Sequence, residues 1–92
     1  MDAEHAETDA LKLLGWLALQ EELLPVFLGA TGASLDDLRA RASEPDFLAS
    51  LVDFLLMDDA WVLQASDAMN WSPERIGQIR AGLPGGELPH WT

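Results

Sequence analysis

The chain has 92 residues, of which sixteen are acidic and five basic, for a formal net charge of −11. Nucleic-acid binding rests on Lys and Arg neutralising phosphates, so this balance argues against a nucleic-acid partner and equally against an anionic membrane surface. Cysteine is absent, which removes disulfides and thiolate sites, and the two histidines, His5 and His90, cannot by themselves supply the four ligands of a structural zinc site.

The length fits one domain, and a hydrophobic share of 49% is that of a globular chain. Residues 1–7 are expected to form a flexible acidic end, residues 8–84 a single helical domain and residues 85–92 a Gly/Pro tail. From Thr8 onward Leu13, Leu14 and Leu17 recur at helical spacing, with Ala10 and Ala18 extending the stripe. Thr8 or Asp9 offers an oxygen to cap this helix, and Trp16 falls away from its main stripe. The helix is expected to weaken near Leu24, because a residue before proline avoids the α region. Pro25 then opens a short helical turn through Val26, Phe27 and Leu28, ahead of Gly29 and Gly32.

Ser34 starts the second helix, with Asp37 placed to answer it in a capping box and with Leu35, Leu38 and Ala42 as its inner stripe. The third helix, Pro45 to Met57, carries Phe47, Leu48, Leu51, Val52, Phe54, Leu55 and Leu56, with Asp46, Ser50 and Asp53 marking its solvent side. A helix apolar almost all round belongs at the centre of a fold. Asp58-Asp59 places negative charge at the start of the fourth helix, where the dipole favours it. Trp61, Val62, Ala65, Ser66 and Met69 share one side of that helix, and Asn70 ends it in the left-handed conformation. Ser72-Pro73-Glu74 starts the fifth helix, whose stripe is Ile76, Ile79 and Leu83 and whose end is set by Gly82 and Pro84. The tail beyond is expected either to be disordered or to fold back and dock Leu88 and Trp91. No β-alternation interrupts this pattern, so the expected fold is all-α: a compact irregular bundle of four to five short helices.

No run of eighteen or more apolar residues occurs, so no membrane span is expected. The acidic start, Met1-Asp2-Ala3-Glu4-His5, lacks the positive charge of a signal peptide. A cytoplasmic location is the expectation.

Five features carry a chemical reading beside a purely structural one. Gly32-Ala33-Ser34-Leu35-Asp36-Asp37-Leu38 resembles the attachment site of acyl carrier proteins, whose modified serine stands at a helix start before a leucine. The likeness breaks at Ala33, where that family has aspartate, and Ser34 reads first as an N-cap. Asp53, Asp58 and Asp59 are carboxylates of the kind that hold Mg²⁺ or Ca²⁺, yet they read first as a solvated face and a helix start, so no metal is expected. His5 and His90 have no evident serine and carboxylate partners for a triad. Residues 71–80 look like the second half of a helix-turn-helix reader, with Arg75, Gln78 and Arg80 facing a groove; the surrounding acidic charge favours a capped surface helix instead. Finally, four tryptophans are many for this length. Trp61 and Trp71 flank the fourth helix and are expected partly in the core, whereas Trp16 and Trp91 are candidate contacts for a protein partner, because Trp is enriched at interaction hot spots.

Phe47-Leu48-Ala49-Ser50-Leu51-Val52-Asp53-Phe54-Leu55-Leu56, then Asp58-Asp59, then Leu83-Pro84-Gly85-Gly86, resemble a family of short uncharacterised alphaproteobacterial proteins, a domain of unknown function. The likeness runs from about Asp9 to Gly86. It implies a bacterial, cytoplasmic, helical protein and brings no site residue with it. The expected function is a non-catalytic protein-interaction or regulatory module, without a cofactor, that presents an acidic face to a basic protein surface. The alternative is an acyl-carrier-like protein modified at Ser34.

Overall fold

A computed structural model describes residues 1–86 and contains six α-helices: α1 (Ala3–Leu17), α2 (Leu23–Thr31), α3 (Leu35–Ala40), α4 (Pro45–Leu56), α5 (Asp59–Met69) and α6 (Glu74–Ala81). The centre is α4. Phe47, Leu48, Ala49, Leu51, Val52, Phe54 and Leu55 are all buried, and residues so placed cover most of a helix circumference. Such a helix needs cover on several sides, and α4 packs against α1, α2, α5 and α6. Pro45 opens it at the first helical position, where a missing N–H leaves no bond unmade.

The chain becomes helical well before the expected cap at Thr8 or Asp9. Asp2 is the N-cap of α1, its carboxylate accepting from the His5 backbone N–H at 2.8 Å. Residues 3–7, expected to be a flexible end, therefore belong to α1. Asp9 lies inside the helix on its buried face, with Ala6, Ala10, Leu13, Leu14 and Leu17. The acidic residues that suggested a solvated terminus include a cap and a first-turn residue, Glu4, favoured there by the helix dipole.

α1 ends at Leu17 rather than near Leu24. The Gln20 N–H bonds the Leu17 carbonyl at 3.0 Å, and its side-chain amide donates to the Trp16 carbonyl at 3.1 Å. These bonds close a turn over residues 17–20, and the Leu24 N–H bond to the Gln20 carbonyl at 3.0 Å leads on into α2. What was expected as a single turn after Pro25 is the nine-residue helix α2. Pro25 lies in the first turn of α2, where backbone N–H groups lack intrahelical partners in any case. Gly32 closes α2 in the left-handed region with φ 76°. This extra helix is why six are found where four to five were expected.

The capping box at Ser34 and Asp37 is present. Leu35, expected in the inner stripe of that helix, is instead 60% exposed, and Leu38 carries the burial. A helix of six residues can turn only a narrow face inward. Asp58 caps α5, accepting from the Ala60 N–H at 2.8 Å, and Asn70 ends it with φ 61°. Ile76 and Ile79 of α6 are buried, as is Leu83 just beyond it.

Gly82 has a role besides ending α6. A Cβ there would stand 2.7 Å from the Ala6 Cβ and 2.9 Å from the Met1 carbonyl oxygen. The start of α1 therefore lies directly on the end of α6, which only glycine permits.

Two measurements check this layout. Leu51, with none of its surface exposed, should lose about 2–5 kcal/mol as Leu51→Ala, whereas Leu35→Ala should change urea stability by less than about 0.5 kcal/mol. The bonds that Asp2 accepts, first from the His5 N–H and then from the His5 side chain, hold its carboxyl below the ordinary aspartate range. The folded value is thus the lower one, so this stabilisation is complete above the ordinary range and fades as pH falls through the folded value. Amide-exchange protection at His5 should accordingly drop on acidification below about pH 4, and Asp2→Ala should remove it at neutral pH too.

Candidate functional site

Lys12, Arg39, Arg41, Arg75 and Arg80 are the basic residues, and all but Arg39 pair with a carboxylate of the chain itself. Arg75 of α6 reaches α1, where its Nε and Nη2 donate to Asp9 Oδ2 at 3.1 and 2.7 Å. Asp9 is only 4% exposed, and a carboxylate buried to that extent requires a partner. Lys12 Nζ approaches its other oxygen at 3.9 Å. The Arg75 guanidinium also lies 4.7 Å from the centroid of the Trp71 ring, a cation–π contact. Arg80 joins α6 to α4 through Asp53, at 2.6 and 3.3 Å, and donates to the Pro84 carbonyl at 2.8 Å. Arg41 pairs with Glu44 at 3.0 Å across the Phe47 ring.

Four of the five cations are therefore held by the chain's own carboxylates. Arg39 sits in the last turn of α3. The groove-reading set suggested by Arg75, Gln78 and Arg80 is not assembled, because both arginines are engaged within the fold while Gln78 faces solvent.

The other sequence candidates are dispersed. Ser34 Oγ accepts from the Asp37 N–H at 3.2 Å while Asp37 Oδ2 accepts from the Ser34 N–H at 2.9 Å. This is ordinary capping chemistry at the start of a six-residue helix. Asp53 is bound by Arg80 and Asp58 is a cap. Among the described residues, no three His, Cys, Asp or Glu side chains converge on a point where a metal could sit. His5 pairs with Asp2 at 3.0 Å. Trp16 is half-buried and packs against the core edge, as do Trp61 and Trp71. Leu88, His90 and Trp91 lie outside the described residues.

The feature missed in the sequence is a cleft of about 620 Å³ between the α1–α2 turn and α5. Leu19, Leu23, Val26 and Trp61 supply its apolar lining, and Glu21 and Glu22 stand at it as well. Leu19 is 80% exposed and Val26 is 47% exposed. The Trp61 ring stacks on Phe54 with centroids 4.5 Å apart and planes at 21°. Phe54 in turn meets the edge of Phe27 at 5.2 Å. The cleft floor is thus the outer end of an aromatic series that begins in the core. Its sequence signal was faint: an apolar Leu19 off the helical stripe, followed by two glutamates.

A helical protein with an acidic exterior and a partly open cleft, lined in equal measure by apolar and polar residues, is the class that fold and surface define. The family described as a protein of unknown function, DUF3572, matches residues 3–86, and the chain belongs to that family. No curated protein and no solved structure matches the chain. Among the described residues no helix is long and apolar enough to cross a membrane.

The Asp9–Arg75 link yields a stability test. Arg75→Met should cost about 1–3 kcal/mol by leaving Asp9 buried beside a single distant amine. The figure stays modest because the Arg75 side chain is 39% exposed and so partly screened by solvent. Adding Asp9→Leu should return most of the loss in urea denaturation, since an apolar pair is a fair replacement for a buried ion pair.

Proposed function

We propose that the protein is a non-catalytic interaction or regulatory module of the bacterial cytoplasm that presents its acidic exterior to a basic protein surface. The observation that carries this reading is the pairing of its cations: with Lys12, Arg41, Arg75 and Arg80 each paired to Asp9, Glu44 or Asp53, the other carboxylates among the described residues, Asp2 beside His5 apart, have no ion-pair partner. Glu4, Glu21, Glu22, Asp36, Asp46, Asp59, Asp67 and Glu74 are all exposed. A surface of one sign steers oppositely charged partners and repels like ones.

In-cell cross-linking followed by mass spectrometry identifies the bound partner, and calorimetry of the purified pair measures its salt dependence. The partner surface should be basic, and affinity should fall several-fold between dilute buffer and salt well above physiological strength. A partner as acidic as this chain, bound equally well at both, would overturn the reading.

A further inference from the structure

The acidic exterior is broad, but one place on it combines charge with a shaped apolar floor. Glu21 and Glu22 stand at the cleft beside Leu19, Val26 and Trp61. Neither glutamate side chain makes an ion pair or hydrogen bond among the described residues, and no Lys or Arg lines the cleft. The floor is rigid, because Trp61 lies flat on Phe54, which is buried and braced by Phe27. A pre-formed aromatic floor binds without an ordering cost. Resting on the reading of the protein as an acidic interaction module, we infer that this cleft docks a basic amphipathic helix. The apolar face of that helix lies on Trp61, Val26 and Leu19, and its Lys or Arg side chains reach Glu21 and Glu22.

Three observations select this occupant. The described backbone is helix and turn, without a strand, so an extended peptide finds no sheet edge to join and recognition must run through side chains, as in helix-in-groove binding. The cleft is partly open to solvent rather than an enclosed cavity, which suits a helix better than an enclosed small molecule. A second copy of the chain would bring another net charge of −11 with four of its five cations already paired within its own chain, so like charges would face each other.

The test uses the full chain and a synthetic peptide with leucine at positions i, i+3, i+4 and i+7 and lysine elsewhere. Two control peptides carry serine in place of leucine and glutamate in place of lysine. Binding is read by calorimetry and by the Trp61 indole N–H resonance, assigned with Trp61→Phe. The leucine–lysine peptide should bind and shift that resonance. Glu21→Gln with Glu22→Gln should weaken it about tenfold in dilute buffer. Leu19→Ala with Val26→Ala should weaken it to a similar degree, and both sites are exposed, so folding is retained and circular dichroism verifies it.

The control for charge alone is Glu4→Gln with Asp46→Asn, which changes net charge equally. Glu4 lies about 20 Å along α1 from the cleft, and Pro45, beside Asp46, sits next to Met1 and Ala3 at that same far end. This variant should weaken binding less than twofold. If the leucine–lysine peptide binds but the cleft variants behave like the distal control, or the serine–lysine peptide binds as well, the cleft assignment is overturned while the acidic-module reading stands. If the leucine–lysine peptide does not bind even in dilute buffer, the cleft assignment is overturned while the acidic-module reading stands on its own partner test; if the leucine–glutamate peptide binds equally, both are overturned.

Discussion

Everything in this protein is arranged around the need to cover α4. Its buried side chains cover more than half of its circumference, and a chain of this length has little spare surface to hide them behind. The solution is to wrap the remaining helices around it, which is why α1, α2, α5 and α6 each touch it. The short connections follow from the same requirement. α2, α5 and α6, which each cover one side of the twelve-residue α4, are shorter than it, and Gly32, Asn70 and Gly82 end them.

Wrapping by short helices leaves few apolar contacts per element, and ionic links supplement them. Arg75 ties α6 to α1 through a carboxylate that has no other way to be buried, and Arg80 ties α6 to α4. These two contacts span 66 and 27 residues of sequence, so they fix tertiary positions rather than local turns. α6 has only Ile76 and Ile79 buried, and it is the helix that carries both links. Arg75 spends its charge on the buried Asp9, whereas Arg80 pairs with Asp53 at the surface; the acidic character of the exterior follows from the net charge of −11.

The aromatic side chains connect the interior to the cleft. Phe27 meets Phe47 and Phe54 edge-on, and Phe54 stacks on Trp61. Edge and offset stacking orient rings as well as bury them, so the exposed face of Trp61 inherits its position from residues in α2 and α4. A functional reading centred on this surface is thus consistent with the rest of the fold: the partner-facing ring and the core-facing ring belong to one packed series.

The amino-acid sequence determined the helical class, the central place of α4, the capping at Ser34, Asp58 and Asn70, and membership in a family without an assigned activity. Those are local or periodic properties, set by hydrogen bonds within a few residues and by which face of a helix is apolar. It did not reveal that α1 begins at Ala3, because acidic residues near a terminus look alike whether they cap a helix or trail in solvent, and only the seat of Ala6 against Gly82 distinguishes the two. It did not reveal Asp9 as a buried ion, since its partner is 66 residues away. The cleft was illegible for the same reason: Leu19 and Trp61 stand on separate elements, and no spacing rule joins them. Tertiary structure alone decided which charges were neutralised inside and which apolar groups met outside, because both depend on the packing of elements distant along the chain.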